Sequence, residues 1–151
     1  MKRIRTAALA AAFSFVGVAA SAQGIVADPG TIAGCLCNRQ SVVDLKVDMD
    51  RAQQTYDQDR SGVATMDQQL TAARASVDVA NQEQVDAVKA MNLQREQLYA
   101  RTYDVDLPML QAAIKSYNDS AAGYGQQCAN RNFDSVVMSQ VSATLTCRPT
   151  H

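Results

Sequence analysis

The chain has 151 residues, no Trp, 5% aromatics and a formal net charge of −1. Such a balance, without clustered basic residues, excludes the phosphate-neutralising surface that nucleic-acid binding requires. So few aromatics also exclude a wide globular core; Ala, Gln, Asp, Arg and Val dominate, the composition of long helices meeting along a narrow seam.

The first residues have the three parts of a secretory signal. Lys2, Arg3 and Arg5 form a positive start, Thr6 to Ala20 is apolar and small, and Ala20-Ser21-Ala22 offers a small-x-small cleavage site. The apolar stretch is short of the ~20 residues a membrane span needs. Residues 1–22 are therefore expected to be a cleaved signal peptide, with the mature chain starting at Gln23 in the periplasm and no stable membrane insertion thereafter. Ile32-Ala33-Gly34-Cys35 also reads as a lipobox. A lipobox follows the apolar segment directly, however, and here Asp28, Pro29 and Gly30 intervene. Cleavage removes three basic residues and no acidic one, leaving 11 basic against 15 acidic residues, a net charge of −4.

Residues 23–39 form an N-terminal segment carrying Cys35 and Cys37; Cys128 and Cys147 lie near the other end. In an oxidising compartment four cysteines read as two disulfides. Cys35 and Cys37 are too close to bond each other without strain, so each should reach Cys128 or Cys147. Spacing alone leaves open which takes which.

From Val42 to Val77 the chain keeps a seven-residue repeat. Val42, Met49, Tyr56, Val63, Leu70 and Val77 occupy one seam position; Leu45, Ala52, Asp59, Met66 and Ala73 occupy the other. One helix is expected from about residue 40 to 76, roughly 55 Å long. Gly62 lies off this seam and weakens the helix by ~1 kcal/mol without breaking it. Asp59 is the charge on the seam, either at its edge with Arg101 in reach or in a buried polar pair that fixes register.

Ser76-Val77-Asp78-Val79-Ala80-Asn81 breaks the repeat, and Asn81 with Gln84 resembles a capping box for the next helix. A second helix should run from Gln82 to about Cys128. Its seam is Val85, Val88, Asn92, Arg95, Tyr99, Tyr103, Leu107, Leu110, Ile114, Tyr117, Ala121, Tyr124 and Cys128. Steps of four around Tyr99 to Leu107 mark a stutter. Pro108 follows, and would either kink this helix or, with Asp106 as N-cap, begin another.

The cysteines arbitrate between a kinked hairpin and three helices packed up-down-up. In an antiparallel hairpin turning near residue 81, facing residue numbers add to about 162, and Cys35 or Cys37 with Cys128 comes close to that value. A reversal at Pro108 would instead carry Cys128 tens of Å away, at ~1.5 Å per residue. The expected fold is all-α: a long antiparallel, coiled-coil-like hairpin, its second helix kinked near Pro108. After a turn at Asn130-Arg131-Asn132, Asp134 should cap a short helix with Val137, Val141 and Leu145. That helix would bring Cys147 back to a disulfide-stapled base, completing a unit over residues 40–147 and leaving 148–151 as a tail.

Chemistry is sparse. The single His, His151, is the last residue, so nucleophilic triads lack a base. Carboxylate pairs such as Asp44 with Asp48, and Asp57 with Asp59, fit a solvated helix face. No catalytic residue, metal ligand or cofactor is assigned. Asn118-Asp119-Ser120 fits a glycosylation sequon, which a bacterial-style signal makes uninformative. Tyr56, Tyr99, Tyr103, Tyr117 and Tyr124 sit at packing positions. The tip, Val77, Asp78, Val79, Ala80 and Asn81, has valines without an evident packing duty and is the candidate partner-binding site.

The Cys-Leu-Cys-Asn-Arg-Gln start, a long helix, the Val-Asp-Val tip and the final Cys-Arg-Pro resemble small exported proteins of unknown function from Gram-negative bacteria. The resemblance implies an exported address and no assigned activity. The expected function is a non-enzymatic interaction, scaffold or chaperone-like module with a periplasmic or envelope protein as partner and an open oligomeric state. The alternative is a soft-metal (copper or zinc) or thiol-redox protein using the four cysteines.

Overall fold

The computed structural model describes residues 24–148; the expected signal peptide, the expected mature start at Gln23 and residues 149–151, His151 among them, lie outside the described residues. The chain forms an antiparallel helical hairpin with a short helix packed at its base. Helix α1 spans Pro29–Ser76, and the second arm runs from Gln82 to Ala129 as α2 (Gln82–Ala100), a π-helical turn (Arg101–Asp106), α3 (Leu107–Tyr124) and a second π turn (Gly125–Ala129). Helix α4 (Ser135–Thr144) closes the base. Among the described residues there is no strand, only one isolated parallel bridge between Val26 and Phe133.

Helix α1 begins eleven residues earlier than the repeat suggests, and is about 72 Å long at 1.5 Å per residue. The cause is local. The Asp28 carboxylate accepts from the Thr31 N–H at 2.7 Å and from the Thr31 hydroxyl at 2.7 Å, and Pro29 supplies a fixed φ where no N–H is missed. Side-chain pairs four residues apart support the exposed face: Gln40 with Asp44, Lys46 with Asp50, Gln53 with Asp57. Each such pair stabilises a helix by roughly 0.2–0.5 kcal/mol. All eleven seam positions from Val42 to Val77 are half-buried or buried, with Val63 and Leu70 the most enclosed.

The expected antiparallel register is present. The Arg95–Asp67 ion pair, 2.8 Å, joins residues whose numbers add to 162, and the Cys35–Cys128 bridge adds to 163. Gly62 has a role that the heptad count does not show. A Cβ there would stand 3.0 Å from Leu98 Cδ2, so the missing side chain lets the second arm approach closely.

The irregularity at Pro108 is a π turn within a continuous helical path. Leu107 donates to the Thr102 carbonyl five residues back, and Asp106 has helical φ/ψ of −69° and −40° with no capping bond, so it is not an N-cap. Pro108 has no N–H, and its ring crowds the carbonyl four residues earlier; widening the preceding turn accommodates both. The wider turn also moves the seam. Leu98, Thr102 and Asp106 face α1, while Tyr99, expected on the seam, is 44% exposed and Ile114 lies at its edge. Thr102 is fully buried, its hydroxyl donating to the Leu98 carbonyl at 2.8 Å.

At the base both disulfides form, Cys35–Cys128 and Cys37–Cys147, with Cα–Cα distances of 5.5 and 5.3 Å. Because Cys35 and Cys37 stand on helix α1 rather than on an extended segment, two residues of helix rotate them about 200° apart. One thiol therefore meets the end of the second arm and the other meets the chain after α4. Asp134 caps α4 by accepting from the Val136 and Val137 N–H groups. Val26 donates to the Asn132 carbonyl at 2.7 Å and accepts from Asp134 N–H at 2.9 Å, tying the segment before α1 over the same end.

Candidate functional site

The tip is an ordered turn. Asp78 N–H donates to Gln84 Oε1 at 2.8 Å, Ala80 N–H to Asp78 Oδ1 at 2.9 Å, and Asn81 N–H to the Asp78 carbonyl at 2.9 Å. Asn81 caps α2 by accepting from Glu83 and Gln84 N–H. The capping box is thus only half reciprocal, since Gln84 reaches Asp78 instead of Asn81. These bonds hold Val77 half-buried between the arms and leave Val79 84% exposed at the end of the shaft. Asp78, Ala80 and Asn81 are exposed beside it.

The four cysteines occupy the opposite end. Cys35 and Cys128 are buried, and all four are joined in the two bridges, so none stands as a thiolate for a soft metal. This bonding is that of a chain matured in an oxidising compartment. Among the described residues, no helix is long and apolar enough to cross a membrane and no group of three or more His, Cys, Asp or Glu side chains is placed to hold a metal ion.

A third location emerges at mid-shaft, where the π turn meets α1. Asp59 Oδ2 lies 3.0 Å from Arg101 Nε, and Asp106 Oδ2 lies 3.9 Å from the same nitrogen. The Asp106 side chain is 8% exposed and that of Asp59 19%, whereas Arg101 is largely in solvent. Neither Oδ2 is reached by water, and neither receives a hydrogen bond; the guanidinium is close to Asp59 without an aligned N–H. Burial pushes the Asp106 carboxyl above the usual carboxylate range, the Asp59 carboxyl within hydrogen-bonding reach pushes it further, and Arg101 opposes both. Asp106 also lines an open groove of about 290 Å³ with Ala52, Thr55, Met109 and Ala113, at whose rim Asp48 and Arg51 pair at 3.0 Å.

Aromatic packing adjoins this cluster. Tyr56 meets Tyr103 edge to face at 6.4 Å, Tyr103 lies 4.5 Å from Tyr99, and Arg95 stands 4.7 Å over the Tyr99 ring while paired with Asp67. Tyr56 and Tyr103 thus pack across the arms as expected, and Tyr99 covers them from outside. Asp59 with Arg101 was legible as a pair; Asp106 was not, because only the π turn brings it onto the seam. A carboxylate two residues before a proline, behind a stutter, was the available signal. The chain matches no protein-family model, no curated protein and no solved structure.

Proposed function

We propose that this chain is a non-enzymatic protein of the bacterial periplasm, exported by a cleaved signal at residues 1–22, whose stapled hairpin presents its tip to a protein of the cell envelope. It serves as an interaction, scaffold or chaperone-like module. The observation that carries the reading is Val79, an apolar side chain held in solvent by a hydrogen-bonded turn at the end farthest from the staple. An apolar side chain held in solvent on an ordered loop has no role in packing, and loops fixed by a rigid scaffold are common sites of recognition. The elongated shaft separates that tip from the base by most of its length of about 72 Å.

A photo-crosslinking residue placed at position 79 in intact cells tests this. One dominant adduct, abolished by Val79→Asp in a second copy labelled at position 77, is the expected result. Labelling at position 79 that matches labelling at exposed Gln68 on the shaft would remove the tip from consideration.

A further inference from the structure

Asp59 and Asp106 are acceptor-only groups when ionised, yet from opposite arms both bring an Oδ2 within 4 Å of one Arg101 nitrogen, with both Oδ2 atoms out of solvent and without a donor. Arg101 approaches both at 3.0 and 3.9 Å but brings one positive charge to two negative ones. The missing donor and the missing charge are the same thing: one proton. We propose that Asp59 and Asp106 share one proton and, with Arg101, form a pH-operated latch between the arms, closed while the proton is held and loosened when it is released to solvent.

The surroundings support this assignment. From α1, Asp59 stands beside the same Arg101 nitrogen as Asp106, and the groove next to it carries Asp48 and Arg51, which cancel as an exposed ion pair. From its own helix, Arg101 faces it, and Tyr103 is engaged with Tyr56 and Tyr99. The protonated Asp106 carboxyl donates to Asp59, which stays paired with Arg101, so every buried polar atom then has a partner. Loss of the proton leaves two carboxylates in contact beside one partly solvated cation. The site has a means of yielding, because the π turn carries Asp106 on a locally widened helix just before Pro108.

The sign follows from the raised value of Asp106. The folded chain holds a proton that the unfolded chain, with an ordinary value of 3.8, has already lost. The latch therefore contributes fully below that value and weakens as pH rises through the folded-state midpoint. This device is independent of whether the tip binds a partner.

The test uses the full-length, disulfide-bonded protein. Carboxyl carbon NMR should show Asp106 titrating above the ordinary range. Hydrogen exchange at residues 98–110, corrected for intrinsic pH dependence, should lose protection by up to about tenfold per pH unit between 3.8 and the midpoint, while the tip does not. Asp106→Asn keeps a donor toward Asp59 and should hold protection constant over that window. Ordinary titration of Asp106 in the wild-type protein would overturn the proposal, even if the variant failed to fold. An unchanged pH response in a folded Asp106→Asn protein would overturn it as well.

Discussion

The base and the middle of the shaft join the same two arms by opposite means. At the base, covalent bonds and a bridge of backbone hydrogen bonds fix the arms, and the carboxylate there, Asp28, is exposed and accepts two hydrogen bonds from Thr31. At mid-shaft the join is a contact of charges with too few donors. Burial alone does not separate the two, since Cys128 and Asp106 are almost equally enclosed. What separates them is whether each buried polar group has a partner that pH cannot remove. The disulfides hold the base at any pH, whereas the mid-shaft contact is set to respond to a rise in pH.

Removing the covalent join has the largest expected effect. With Cys37–Cys147 still in place, the Cys35–Cys128 bridge closes only the short loop between the two bridges, about 21 residues, for which chain entropy gives about 3 kcal/mol. Cys35→Ser with Cys128→Ser should lower the denaturant midpoint accordingly. A loss confined to ~1 kcal/mol would mean that the base is held chiefly by its packing.

Acid should then drive the two regions in opposite directions. Hydrogen bonds from Thr31 hold Asp28 below its ordinary 3.8, so its contribution is present above that value and is lost as pH falls through the folded one. Asp106 behaves in the reverse sense on the other side of 3.8. Exchange at residues 30–34 should accelerate below pH 3.8, and Asp28→Asn, which keeps an acceptor, should suppress that acceleration. Parallel behaviour of the two regions would erase the contrast.

The smallest effect concerns how closely the arms approach. Gly62→Ala gains helix propensity of ~1 kcal/mol but places a Cβ 3.0 Å from the flexible end of Leu98. Equilibrium unfolding should show a net change under about 1 kcal/mol, and Gly62→Val a clear loss. If Val were tolerated equally, the close approach would have no energetic weight.

Much of this arrangement is readable residue by residue. The heptad from Val42 to Val77 marks the face of α1 that is covered, and Asn81 and Asp134 cap the helices they precede. Asp28-Pro29 carries an equally clear start signal, which the longer repeat downstream overshadowed. With that start recognised, the opposed directions of Cys35 and Cys37 follow from helical rotation. Asp106 is of another kind. Its place on the seam depends on a change from four-residue to five-residue hydrogen bonding; the stutter from Tyr99 to Leu107 marks where the repeat slips but not which side chain then faces α1.

The order of elements, the register of the arms and the helix ends were determined by the sequence itself, because periodicity, caps and the tip act over a few residues or repeat along many. The partners within the base, the approach at Gly62 and the meeting of Asp59, Asp106 and Arg101 were decided only by tertiary structure. Each depends on which way a side chain points once the other arm is beside it. A shift of one residue in a helical turn rotates a side chain by about 100°, enough to exchange solvent for a buried carboxylate.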